Sequence, residues 1–324
     1  MSIREQIRHL EKKTAKGGVL SRQEAFSLTE ISGSDLFFLF ASANALRQHF
    51  RKNVIGLCAI VNAKSGACPE DCAFCAQSSR SRAEIEVYPL RSKKAIMQKA
   101  VEAKKSGITR FSIVTSGRKV SEKNLLRIAD LLSEIRNTGL LPCASLGLLN
   151  ADELSALKSA GLDRYHHNLE TSERFFPEIC TSHTYEDKIR TVRAAAAAGL
   201  SVCSGGIFGM GETWQDRIEM AFALRALDAD AVPINFLIPI QGTALAQRAR
   251  LHPFEALKII SLYRFILPRK EIRICGGRIQ ILGEFNSLVF AAGADGMISG
   301  NYLTTQGRSH EDDLRLMAAY SLAL

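Results

Sequence analysis

Short apolar runs rich in β-branched residues alternate with longer amphipathic runs along almost the whole chain, and this alternation leaves few folds open. Candidate strands fall at 54–62, 109–115, 141–146, 164–169, 201–207, 232–238, 271–275 and 296–299. Between and after them lie candidate helices at 92–106, 122–137, 151–160, 185–198, 213–227, 253–267 and 279–292. Gly107, Gly139, Gly161, Gly199 and Gly293 stand where helices should stop, each just ahead of the next strand. Eight strands with trailing helices, at a spacing of ~30 residues, match an α/β fold of the closed (β/α)8 TIM-barrel type. A doubly wound open sheet has the same alternation and is the competing arrangement. Residues 1–50 read as an N-terminal helical extension and 51–324 as one catalytic barrel domain, because no Pro/Gly/Ser-rich or charged linker divides the chain. In such a barrel, reactive groups gather at the C-terminal ends of the strands, and inward-facing residues recur at every second position.

Composition narrows the function classes. A hydrophobic share of 46% and a charged share of 23% exclude disorder and collagen-like repeats for these 324 residues. The net charge of +9 comes from Lys and Arg spread over the chain, with no dense basic arm, and aromatics are only 7%. Nucleic acid is therefore not an expected partner; an anionic small molecule or an acidic protein suits the charge better. The longest uncharged stretch, 194–211, is broken by Gly and Ser, so no membrane span is expected. Residues 1–16 are charged throughout and lack the apolar centre of a signal peptide, which makes the cytoplasm the expected location. In that setting the eight cysteines read as thiols, metal ligands or catalysts rather than disulfides.

The most specific feature is the run Cys68-Pro-Glu-Asp-Cys72-Ala-Phe-Cys75, which follows the first candidate strand. Three thiols at this spacing can converge on one soft metal centre. A structural zinc site needs a fourth ligand, and no Cys or His lies nearby to supply it. Three ligands on a four-iron cube would leave one iron open. Reduced loop thiols are the plainer alternative.

A CxxxCxxC loop after strand one resembles the radical S-adenosylmethionine (SAM) superfamily. The wider strings 66–78, 165–172, 202–213, 232–236 and 303–305 resemble, within it, the biotin synthase family. The resemblance runs in order from about Val54 to Thr305. It implies that Cys68, Cys72 and Cys75 hold a [4Fe–4S] cluster whose open iron chelates SAM, with Phe74 near the adenine. An electron from the cluster would yield a 5′-deoxyadenosyl radical, and sulfur for insertion into dethiobiotin would come from an auxiliary iron–sulfur cluster, described for the family as [2Fe–2S].

Cys143 and Cys203 lie in candidate strands three and five. Singly each would more often be inert core; together, in a barrel that binds a cluster, they favour a second metal site. The family's auxiliary ligands are three strand cysteines and an arginine, and Cys143, Cys203 and Arg273 match three of those places. The fourth is Ser112 here, a harder and normally protonated donor. Strand seven gains Cys275 where the family more usually has Ser. Arg273 and Cys275 are two apart and share a face. Cys275 is therefore expected to join Cys143 and Cys203, with Arg273 as a ligand or a nearby cation. The altered set leaves the cluster type open, a larger cluster than [2Fe–2S] included.

His166, Asn168 and Glu170 would share one strand face at alternate positions. The resemblance gives Asn168 and Glu170 to the SAM ribose and the ureido ring of the substrate, while His166 and His167 read as satisfied core histidines. Asn235 is an expected ureido contact. Gly205, Gly206, Gly209 and Glu212 belong to a Gly-rich turn that lacks the Lys-Ser/Thr of a phosphate loop; the resemblance places this turn against adenine and methionine. Thr304 and Thr305 resemble the family's contacts to the substrate carboxylate. Cys58 reads as strand core and Cys180 as a packed loop thiol. The resemblance further implies a homodimer and a flavodoxin- or ferredoxin-type electron donor. A rival within the same branch is a hydrogenase-cofactor maturase or a methylating or mutase relative; retention of Asn168, Asn235, Cys143 and Cys203 favours sulfur insertion.

Overall fold

The computed structural model describes residues 2–323. Three helices, α1 (Ile3–Ala15), α2 (Arg22–Ser27) and α3 (Asp35–Arg51), precede the first strand. Parallel strands β1 (Gly56–Lys64), β2 (Arg110–Thr115), β3 (Leu141–Ser145) and β4 (Arg164–His166) then alternate with α4 (Lys93–Lys105), α5 (Glu122–Asn137) and α6 (Ala151–Ser159). After α7 (Tyr185–Ala197) come β5 (Ser201–Cys203), β6 (Gly206–Phe208), α8 (Trp214–Ala226), β7 (Ala231–Phe236) and α9 (Pro253–Ile266). The chain ends with β8 (Glu271–Ile274), α10 (Arg278–Leu282), β9 (Gly296–Ile298) and α11 (His310–Ala319). β1 pairs with both β2 and β9, and Cys203 of β5 pairs with Ala231 of β7, which closes the sheet into a barrel. The open-sheet alternative is thereby excluded.

Four elements differ from the sequence reading, one being α11, which has no counterpart among the candidate helices. The single strand expected at 201–207 is two short ones that together fill one barrel place, β5 against β4 and β6 against β7. Between them the chain crowds β7: a Cβ on Gly205 would stand 2.1 Å from the carbonyl oxygen of Pro233. The strand expected at 164–169 keeps its ladder only to His166, because Glu170 turns to φ 73° and bridges Gly206 instead. The helix expected at 279–292 stops at Leu282, where Gly283 takes φ 52°, and continues as a 3-10 segment to Val289. The glycines placed at helix ends behave as expected; Gly107 and Gly199 adopt φ of 76° and 73°.

Period-two alternation divides each strand between two environments. Phe111, Ile113, Ala144, Tyr165, Val232 and Ile272 are buried among the outer helices. Their neighbours Arg110, Ser112, Cys143, Arg164, His166 and Arg273 are left to the lumen. Capping boxes start α6 (Asn150 with Glu153), α7 (Thr184 with Asp187) and α8 (Thr213 with Asp216). Each cap is worth about 1 kcal/mol and fixes the end of a loop that leaves the C-terminal edge of the barrel. The N-terminal helices pack outside the barrel, α1 on α3 and α3 on α9, where the Phe40 and Phe254 rings stack.

Candidate active site

One cavity of about 430 Å³ opens at the C-terminal ends of the strands, within the range of small-molecule sites. Cys68, Cys72, Phe74 and Cys75 line one part of it; Cys203, Arg273 and Cys275 line another. Asn168, Glu170, Asn235, Thr304 and Thr305 also face it. Of the residues singled out from the sequence, these together with His166 and His167 are the ones the fold brings to the cavity.

The cysteine loop is held by its own backbone. Cys68 N–H donates to Gln77 O at 3.1 Å, Ser79 N–H to Cys68 O at 2.7 Å, and Cys75 N–H to Cys72 O at 3.0 Å. Asp71 ties it to the loop before α7, accepting from the N–H groups of Thr181 and Ser182 at 3.0 Å each. Burial opposes ionisation of Asp71, yet the hydrogen bonds from Thr181 and Ser182 hold its carboxyl well below the usual range. Cys72 Sγ lies 3.8 Å from Cys180 Sγ, and Cys180 Sγ lies 3.3 Å from His183 Nδ1. The hydrogen bond to Cys180 and desolvation raise the Cys72 thiol, while the hydrogen bonds from Cys72 and His183, against burial, lower that of Cys180. Burial pushes the Cys75 thiol up.

The lumen floor is charged. Glu271 accepts from Arg164 Nη1 at 2.9 Å and from Arg273 Nε at 3.0 Å, all three side chains being buried. Burial alone would raise the Glu271 carboxyl, but Arg273 and Arg164 bring it down to about 2. Gly56 and Gly296 make room for this cluster, since a Cβ on either would stand 2.4 Å or 2.7 Å from Glu271 Oε1. Arg273 Nη1 is buried and has no hydrogen-bond partner among the described residues. Burial pushes Cys203 up to about 11, and Cys143 and Cys275 up as well. Metal binding there would displace protons from neutral thiols.

Other expected residues lie differently. Ser112 is fully buried with Oγ 3.4 Å from His166 Nδ1, and neither Ser112 nor Cys143 borders the open cavity. His166 is kept neutral by burial and by Arg273, Arg164 and Arg110; its Nε2, like that of His167, lacks a partner, so these histidines are not the satisfied core residues expected. Asn235 donates to Gly206 O at 3.1 Å and accepts from Gly276 N–H at 2.9 Å, so part of its amide capacity is already used. Gly205, Gly206, Gly209 and Glu212 do not line the cavity. Gly206 is small because Glu170 O would lie 2.3 Å from its Cβ, and Glu212 folds back onto the N–H groups of Gly209 and Met210 and onto Arg217. In this fold the turn approaches strand and loop neighbours closely. Glu170 is buried, which raises its carboxyl, and lies 3.4 Å from Asn168 Nδ2.

Sequence reasoning missed Glu271, Cys180, His183 and Glu70. Glu271 was legible from its place two residues before Arg273 on one strand face, and the Cys180-x-x-His183 spacing was a weak signal. Glu70, Cys180 and His183 offer donor atoms within 4.8 Å of one another. Among the described residues no three cysteine sulfurs lie that close. One tetrahedral ion with bonds of about 2.3 Å would need sulfurs about 3.8 Å apart. Wider spacing suits clusters of several irons, and the unpartnered Arg273 Nη1 faces the same need for a partner.

Comparison with known proteins agrees with this geometry. Residues 63–224 match the Radical SAM superfamily and residues 233–322 the Biotin and Thiamin Synthesis associated domain. A biotin synthase of Thermodesulfovibrio yellowstonii is 52% identical over 295 residues, covering 91% of this chain and 93% of the relative. The chain belongs to the biotin synthase family. A second member, from Syntrophus aciditrophicus, is 52% identical over 89% of each chain. The crystal structure of methylornithine synthase overlays with a TM-score of 0.82 at 21% identity, covering 97% of this chain and 96% of that one. The hydrogenase maturase HydG of Carboxydothermus hydrogenoformans gives 0.82 at 18%, over 98% of this chain and 79% of that one. These two likenesses establish the shared barrel. Membership in the family brings with it a [4Fe–4S] cluster, SAM and an auxiliary cluster. No described helix is long and apolar enough to cross a membrane.

Proposed function

We propose that this chain inserts sulfur between two C–H carbons of dethiobiotin and so closes the thiophane ring of biotin. One observation carries the reading: a single cavity is lined both by the trio Cys68, Cys72 and Cys75 and by the floor residues Cys203, Cys275 and Arg273. When bound, the [4Fe–4S] cluster and SAM supply a radical able to take hydrogen from unactivated carbon, a task beyond any side-chain acid or base. The residues between the two sulfur sets have the work of orientation. Asn168 and Glu170 offer hydrogen bonds to a ribose or a ureido group, Asn235 retains one donor and one acceptor site, and Thr304 and Thr305 offer hydroxyls to a carboxylate.

At the floor, Cys143, Cys203 and Cys275 would hold the auxiliary cluster, with Arg273 as a ligand or an adjacent cation. A thiol set that lacks the cysteine of position 112 and gains Cys275 leaves the cluster type open, one larger than [2Fe–2S] included. The basic surface suits an acidic flavodoxin or ferredoxin, and the family favours a homodimer. The N-terminal helices (1–50) would act as an outer brace to a catalytic barrel (51–324). The test is an anaerobic assay of reconstituted protein with SAM, dithionite and dethiobiotin. Biotin together with 5′-deoxyadenosine is expected. Release of 5′-deoxyadenosine without biotin would move the chain to the maturase or mutase branch, and no SAM cleavage would defeat radical chemistry altogether.

A further inference from the structure

Cys58 was expected to be an inert strand residue, and it is fully buried. Its direction is the informative point. On β1, Gly56 faces the Glu271–Arg273 pair, with its added Cβ 3.7 Å from Arg273 Nη2. Ile60 lines the cavity. Cys58 stands between these two at the same period and so points into the lumen. Leu57 and Ala59 point outward, and Leu57 is part of the apolar layer beneath the helices. Register agrees: Cys58 pairs with Ile298, another cavity residue, on one side and with Arg110 on the other.

The surroundings of Cys58 are those of the floor. Burial pushes its thiol up to about 12, and the charges it feels next most strongly are those of Arg273, Cys143 and Cys203. Cys275 in turn feels Arg273, Cys203 and Cys58. By strand alternation Cys58, Cys143 and Cys203, and at the end of β8 Cys275, face the same lumen as Arg273, whose Nη1 is buried and unpartnered. Ser112, by contrast, has its hydroxyl beside His166 Nδ1. Arg110, Arg164 and Arg273 outnumber Glu271 and Asp163 at this level, and the surplus positive charge favours a thiolate-rich, anionic occupant.

We propose that Cys58 is a thiolate ligand of the auxiliary iron–sulfur centre, supplying the donor that position 112 lacks. The assignment rests on the reading that such a centre occupies the floor. It gives that centre a complete four-cysteine set, Cys58, Cys143, Cys203 and Cys275, with Arg273 as the neighbouring cation.

The test uses the full chain carrying Cys68→Ala, Cys72→Ala and Cys75→Ala, in which only the floor can hold a cluster. Reconstitution with ⁵⁷Fe and sulfide is followed by iron and sulfide analysis and Mössbauer spectroscopy. Adding Cys58→Ala should lower bound iron by about half or more, because a soft donor is removed with no replacement. Adding Ser112→Ala should leave iron and spectra unchanged. Cys58→Ser, which keeps the side-chain volume, guards against a packing effect: it should retain the parent melting temperature yet alter the Mössbauer parameters or lose iron. Parent-like iron, sulfide and spectra in the Cys58→Ser protein would overturn the assignment of Cys58 while leaving the auxiliary centre intact. Absence of iron from the triple variant itself would overturn the centre and this assignment together.

Discussion

Replacing Glu271 by Gln isolates the charge that organises the lumen floor. The substitution keeps the side-chain shape but removes the carboxylate that bridges Arg164 and Arg273. A carboxyl held at about 2 rather than 4.5 favours the ionised folded state by about 3 kcal/mol. That agrees with the roughly 3–5 kcal/mol lost when one partner of a buried ion pair is removed. Burial of Glu271 at 6% exposure means that solvent screening takes little from this figure. For a chain of 324 residues the loss corresponds to a melting temperature lower by about 5 °C. The sign with pH follows from the lowered carboxyl. The stabilisation is complete above about 4.5 and is lost as pH falls toward 2, so parent and variant should converge in acid. Differential scanning calorimetry of the iron-free full chain, at pH 7 and at steps down to about 3, measures both effects. A Glu122→Gln control on the outer helix α5 should change the melting temperature by less than about 1 °C. If Glu271→Gln matched that control at pH 7, the ion cluster would not be what holds the floor.

Further perturbations read the other parts of the molecule. Cys75→Ala should abolish the [4Fe–4S] spectrum and reductive SAM cleavage while sparing iron at the floor, as iron analysis and 5′-deoxyadenosine assay will show. Cys275→Ala should reduce auxiliary iron and sulfide and stop biotin formation but leave 5′-deoxyadenosine formation in place; unchanged iron would remove Cys275 from the ligand set. Asp71→Ala cuts the hydrogen bonds that join the cysteine loop to Thr181 and Ser182, and iron loss to a chelator should become about tenfold faster. Phe111→Ala empties the apolar layer behind β2 and should cost about 3–5 kcal/mol of unfolding free energy without changing cluster spectra.

The cysteine trio could be found without coordinates because its chemistry is local. Three thiols within eight residues reach one centre whatever the surrounding fold. Cys143 and Cys203 were weaker signals, sixty residues apart in sequence, and only the barrel count gave them a common destination. The Gly-rich turn is ambiguous for a physical reason. A glycine permits close approach, but sequence does not say whether a ligand or another strand does the approaching. Here Gly205 meets Pro233 and Gly206 meets Glu170. Cys58 was passed over because a thiol in an apolar strand looks the same whether it faces helices or lumen.

Sequence alone determined the alternating α/β class and the first metal-binding motif, because period-two strands, helix-ending glycines and clustered thiols act over a few residues. Tertiary structure decided which way each strand turned its alternate faces. It also decided which buried charges met, joining Arg164, Glu271 and Arg273 across the lumen. Those outcomes depend on strand register and barrel closure, where a shift of one residue would exchange every inward side chain for an outward one. No local pattern carries that information; the pairing of Cys203 with Ala231 and of Cys58 with Ile298 does.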